Sequence, residues 1–229
     1  MATYLTALPS APPMRHWSAK VDPHWGMMLN DQLGDCTCAA AAHLIQSWTA
    51  NETKEQTLSD QAVLAAYKAV GGYNPSDPTT DQGAVELDVL NYWRNTGVGG
   101  VKIDAFVALE PRNHDHVRAA IDMFGGAYIG LALPISAQNQ RVWSVPPSGT
   151  ASRTPGEVGS WGGHAVVALD YDWRGVTCVT WGELKLMTWR FWDSYCEEGY
   201  ALLCSLWTAS GRSPSGFRYD TLKADLAAL

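Results

Sequence analysis

No stretch of this chain approaches the roughly 18 consecutive apolar residues that a membrane-spanning helix requires. The N-terminus, Met1 to Pro13, has one short apolar run and no basic leader of the secretory kind. A protein without membrane contact and a cytoplasmic location are the expectations. Basic clusters are lacking as well. Sixteen Lys and Arg against 23 Asp and Glu leave a net charge of -7 spread along the chain, so no patch would neutralise a run of phosphates. Nucleic acid is therefore not an expected partner. Cysteines are few and odd in number: Cys36, Cys38, Cys178, Cys196 and Cys204. Their irregular spacing excludes a disulfide framework and points to reduced thiols. No Cys-x-x-Cys or His-x-x-x-His pair occurs. Cys36 and Cys38, two apart on a helix, would point about 200° away from each other. That is a poor chelate, and neither a metal nor a cofactor is expected.

What is present is ample core material. The 229 residues are 46% hydrophobic and 17% charged, with 11 Trp and 9 Tyr, and read as a single globular domain over 1–229. Residues 1–33, rich in Pro, aromatics and polar groups without periodicity, form an extended lead-in. Residues 34–100 form a mainly helical half, with helices expected from Asp35 to Ala50, after Ser59-Asp60 to a stop at Gly71-Gly72, and through Val85, Val89, Tyr92 and Trp93. Residues 101–206 form a mainly β half. Strands are expected at Val101–Leu109, Ala127–Leu133, His164–Tyr171, Val176–Trp181 and Tyr200–Leu206, with a short helix after Asn113 and a long loop over 134–163. The tail, 207–229, ends in a short helix from Asp220. Helices first and strands later imply an α+β fold, a helical half packed on a largely antiparallel sheet.

The chemistry centres on Cys36. In Asn30-Asp31-Gln32-Leu33-Gly34-Asp35-Cys36-Thr37-Cys38-Ala39, a polar loop gives way to an Ala-rich helix, which puts a thiol on a first helical turn. The helix dipole favours an anion there, so this thiol is expected to ionise more readily than a free one. A thiol nucleophile also needs a base. His43 is on the same face but two turns away, about 10 Å at 1.5 Å per residue. His114 and His116 flank Asp115 in a solvated first turn, and His16 and His24 lie in the lead-in without a companion motif. His164 is different, because Trp161-Gly162-Gly163 precedes it and the apolar run Ala165-Val166-Val167-Ala168-Leu169 follows. It opens a strand where a Gly pair lets another element approach.

Taken together these segments resemble the papain-like cysteine peptidases. Asn30 to Ala40 is similar to the family's nucleophile segment, with Gly34-Asp35-Cys36 matching Gly-x-Cys. Trp161 to Tyr171 is similar to its histidine strand. The separation of 128 residues (164 − 36) lies close to the family interval of roughly 130–150. Gly125 to Leu131 falls where the family has the strand lining its cleft, and Trp181-Gly182 where it has a Trp-Gly pair. The resemblance spans about residues 25 to 205 and implies Cys36 as nucleophile and His164 as base. The oxyanion would be held by the Cys36 N–H and a side-chain amide. The family places a Gln six residues before the nucleophile; here Asn30 stands there, with Gln32 as the alternative. The family orients its histidine with an Asn or Asp on the next strand. Thr180 stands 16 residues after His164, next to Val179, which could orient nothing; Asp170 and Asp193 are the other candidates. Gln32, Gly34, Trp161, Gly162, Gly163 and Trp181 are expected to line the substrate cleft, and Trp143 flanks it.

The function so implied is a cysteine hydrolase, a peptidase or amidase working on a peptide or protein substrate through an acyl-enzyme. An acyl transferase with an amine in place of water uses the same dyad. A catalytically silent papain-like fold used as a binding module is the reading from a different class. Oligomeric state is not encoded in any motif.

Overall fold

The computed structural model describes residues 10–216 and 218. Its helical half is built around α1 (Cys36–Glu52), and every residue of that helix from Thr37 to Thr49 is buried. A helix covered on all sides needs small residues, and Ala39 to Ala42 let its backbone lie close against the sheet. The Tyr128 hydroxyl donates to Thr37 O at 2.9 Å, and Trp48 Nε1 to Phe124 O at 2.8 Å, fixing both ends of the helix to the β half. Three shorter helices follow: α2 (Asp60–Gly71), α3 (Glu86–Asn95) and α4 (His114–Phe124). Ser59 Oγ accepts from Ala62 N, and Asn113 Oδ1 from Asp115 N and His116 N, as their N-cap positions predict.

Among the described residues the sheet has seven strands, β1 (Arg15–His16), β2 (Ala105–Ala108), β3 (Ala127–Leu133), β4 (Gly162–Tyr171), β5 (Gly175–Thr180), β6 (Glu183–Thr188) and β7 (Cys196–Leu203). They run β2-β7-β3-β4-β5-β6 with every pairing antiparallel, and β1 adds to the far end of β4. All of β3 is buried, as the continuous apolar run Ala127–Leu133 predicts. This is the α+β architecture expected, with α1 lying on β4.

Several boundaries differ from the sequence expectations. The strand read over 101–109 shrinks to β2, because Val98 and Val101 close a tight turn upon each other and take up its beginning. The strand read from Tyr200 starts at Cys196 and stops at Leu203, where Ser205–Thr208 turns into a 3-10 helix. Three of the labelled elements were not anticipated: the two-residue β1, β6 and the short α5 (Trp189–Tyr195), capped by Thr188 Oγ1 on Phe191 N. The helix expected from Asp220 lies outside the described residues. No described helix is long and apolar enough to cross a membrane.

Candidate active site

Cys36 is the first residue of α1 and partly exposed. Its Sγ accepts a hydrogen bond of 3.4 Å from the N–H of Ala165, the residue after His164. The packing of α1 on β4 thus brings together two segments 128 residues apart (164 − 36). Cys38, two positions on, is fully buried.

His164 is held from two sides. Its Nε2 shares a hydrogen bond of 2.7 Å with Thr180 Oγ1, which leaves Nδ1 as the ring nitrogen without that partner. Its ring stacks on Trp181 at 4.3 Å between centroids and 10° between planes, and Trp181 stacks in turn on Trp161 at 5.2 Å. The turn explains this placement. Thr180 pairs with Glu183, so Trp181 and Gly182 form a two-residue hairpin loop, and both have positive φ, 46° and 72°. A glycine suits such a position; a tryptophan there is strained, and its ring contacts hold it. Gly182 also meets Gly26, whose carbonyl would lie 3.2 Å from any Cβ at 182, so the turn abuts the lead-in.

The surroundings of Cys36 are acidic. Asp35 is fully buried; its Oδ1 accepts from Asn30 Nδ2 at 3.0 Å while Oδ2 meets no donor. The side chain of Asp35, at the N-cap position, makes no capping hydrogen bond to α1. Asn30 Nδ2 also makes a long 3.4 Å contact with Leu33 O. Gln32 is exposed. Gly34 N donates to Asp81 Oδ1 at 3.0 Å, and the same oxygen takes the Tyr67 hydroxyl, tying the nucleophile loop to the stretch before α3. Gly162 and Gly163 open β4 opposite Leu133 and Ala132 with free space around them.

Burial decides the electrostatics. It pushes the Cys36 thiol up to about 11, helped by the nearby Glu86 and Asp35 carboxylates and opposed by the Ala165 N–H. The same effect takes His164 down to about 4. Near pH 7 the resting pair is a neutral thiol beside a neutral imidazole. This corrects the expectation from the helix start: dense protein and two carboxyls outweigh the dipole. Burial also raises Asp35 to about 7, against the pull of the Asn30 amide. Glu86 goes to about 9, by burial first and then by the charge of Glu198.

Other candidates fall elsewhere. His43 is buried, with Nε2 3.1 Å from Gly26 O and its ring edge-on to Trp25. His114 shares a 2.6 Å contact with Asp193 and stacks on Trp189, so Asp193 serves that histidine and not His164. Asp170 accepts from Ser18 at the β1 edge. Trp143, expected beside the cleft, is 1% exposed and stacks on Phe191 in the core. Among the described residues no three His, Cys, Asp or Glu side chains are grouped to hold a metal ion. Sequence reasoning passed over Glu86 entirely. At the start of an amphipathic helix a glutamate looks like an ordinary solvated first-turn acid, and only the packing of α3 shows otherwise.

No family model matches the chain, and no curated protein matches it in sequence. Solved structures match its fold. Xylellain, a cysteine protease from Xylella fastidiosa, aligns at a TM-score of 0.62 and 16% identity, over 87% of this chain and 88% of its own. The Carica candamarcensis cysteine protease CMS1MS2 aligns at 0.55 and 15%, over 84% and 99%. Digestive procathepsin L 3 of Tenebrio molitor aligns at 0.60 and 10%, over 87% and 72%. The chain has the papain-like fold, an α+β architecture shared with cysteine proteases.

Proposed function

We propose that the protein is a cysteine hydrolase, a peptidase or amidase in which Cys36 attacks and His164 is the base. The observation that carries this reading is the Ala165 N–H on Cys36 Sγ, which sets the thiol beside a histidine whose outer nitrogen is already engaged. Thr180 accepts from Nε2–H, and that tautomer leaves the Nδ1 lone pair for the thiol proton. As the sulfur adds to the carbonyl carbon of a peptide or amide, Nδ1 takes this proton and the carbonyl oxygen becomes an oxyanion. The Cys36 N–H, which a helix start leaves without an intrahelical partner, holds that charge; Asn30 Nδ2, bonded to Asp35 and at a long 3.4 Å to Leu33 O, joins it by giving up the weaker of those two contacts. The imidazolium then protonates the departing amine, leaving a thioester. Water, losing a proton to His164, attacks the thioester and restores the thiol.

Because a hydroxyl can donate as well as accept, Thr180 does not enforce the productive tautomer as a carbonyl acceptor would. Slow turnover follows. A catalytically silent fold that binds peptides is the second reading, and the neutral thiol is the observation that favours it. Hydrolysis of a peptide-coumarin amide mixture, followed for the wild type and for Cys36→Ala, decides between them. The proposal requires turnover that vanishes in the variant; binding of the same peptides without turnover in either protein favours the silent fold.

A further inference from the structure

Glu86 opens α3 in a place where a carboxylate is costly. It is 7% exposed, and its Oε2 meets no donor. The carboxyl lies over Gly130 of β3, where a Cβ would collide with Glu86 Oε1 and stand 2.9 Å from Glu198 Cγ. Gly130 pairs with Ala165 on one side and with Glu198 on the other, so Glu86 sits over the strand position next to the N–H that touches Cys36 Sγ. The groups that respond to its charge are the thiols of Cys36 and Cys196 and the phenols of Tyr128 and Tyr200, while the charge of Glu198 raises Glu86 itself. None is a cation. Arg112 acts on Cys196 but not on Glu86. Glu198, the other half of the pair, is exposed, and its Oε2 accepts the Tyr200 hydroxyl.

A buried carboxyl held beside a second one, with no internal cation, lacks the partner that would offset its desolvation. We propose that Glu86 and Glu198 form the acidic wall of a pocket beside Cys36 that takes a Lys or Arg side chain of the substrate. A guanidinium or ammonium entering past exposed Glu198 supplies Glu86 with its missing donor and Glu198 with a second one beside the Tyr200 hydroxyl. The absence of a side chain at Gly130 is what leaves the carboxyls space over the strand. Without substrate, repulsion and burial keep a proton on Glu86; the incoming cation displaces it to solvent. This inference deepens the hydrolase reading and rests on it for the position of the pocket along a substrate.

The test uses short peptidyl acyloxymethyl ketones carrying Arg, Leu or Glu at each of the three positions before the ketone, with modification of Cys36 timed by intact mass. At one position Arg is expected to outpace Leu by roughly tenfold or more. Glu86→Gln is expected to bring the two within about threefold. Glu198→Gln, on the surface, is expected to lower the preference partway and guards against a folding defect in the first variant. Equal rates for Arg and Leu at every position, or an Arg preference that survives Glu86→Gln, overturns the proposal. If no ketone modifies Cys36 faster than a denatured control, the hydrolase reading fails instead. Calorimetric titration of Cys36→Ala with the matching Arg and Leu peptide amides then decides the pocket on its own. Tighter binding of the Arg peptide, lost in the added Glu86→Gln, upholds it; equal binding overturns it.

Discussion

His164 lies against Trp181 with Trp161 behind it, and its Nε2 is bonded to Thr180. Across the cleft, Cys36 is backed by Asp35 and Glu86, two buried carboxyls that each keep an oxygen without a donor. The base side is packed and satisfied; the nucleophile side stores unpaired acid. Each such oxygen costs on the order of 1–3 kcal/mol, as do the other buried unpaired atoms of Thr37, Gln46, Ser47, Asn51, Trp93 and Ser136. On the proposed hydrolase reading, the histidine is held ready at rest, whereas the thiol is restrained until substrate arrives.

The comparison breaks most completely at its two centres. Cys36→Ala and His164→Ala are each expected to lower amide hydrolysis by about a thousandfold or more, measured as kcat/KM. On the base side, Thr180→Val should reduce kcat by roughly ten- to a hundredfold with KM little changed, because the ring loses its anchor but keeps its aromatic cover. Thr180→Asn should raise kcat, since an amide carbonyl only accepts and so selects the productive tautomer. On the nucleophile side, Asp35→Asn keeps an acceptor for Asn30 and removes the charge. It should speed iodoacetamide modification of Cys36 at pH 8 by a few fold, as the thiol pKa falls.

Two pH experiments sharpen the contrast further. Glu86 has an ordinary value of 4.5 and a folded value of about 9, so the folded state holds a proton that the unfolded chain has lost. Stability contributed by that group is present at low pH and declines as pH rises through that window. Glu86→Gln should stabilise the protein by a few kcal/mol at pH 9 and hardly at all at pH 4, read from paired denaturant titrations. The rate of Cys36 alkylation should climb steadily from pH 6 to pH 10, because thiolate gathers only toward about 11. A preformed thiolate–imidazolium pair would instead give a flat rate across neutral pH. Hydrolysis itself should decline only in acid, as pH approaches the His164 value of about 4.

Much of this was legible in the chain. The Ala run after Cys36, the Gly pair before His164 and the caps at Ser59 and Asn113 are local signals, and each marks an element that is there. Thr180 was reachable by counting, since the spacing from His164 places it on the adjoining strand. The β6 strand escaped because its alternation, Glu183-Leu184-Lys185-Leu186, carries a half-exposed face with weak contrast. Trp181-Gly182 could have announced the hairpin, had tryptophan been admitted at a positive φ. The charge state of Cys36 was not legible at all. Helix dipoles can be read from neighbours in sequence, but desolvation depends on how α1, α3 and β3 close around a sulfur, which only the assembled fold fixes.

The central claim is that Cys36 and His164 act as one unit. Treating the folded protein with an epoxysuccinyl peptide and mapping the adduct by mass spectrometry tests it directly. A single adduct on Cys36, none on Cys38, Cys178, Cys196 or Cys204, and loss of that adduct in folded His164→Ala is the predicted result. Labelling of Cys36 no faster than in the denatured chain, or labelling indifferent to His164, would contradict it.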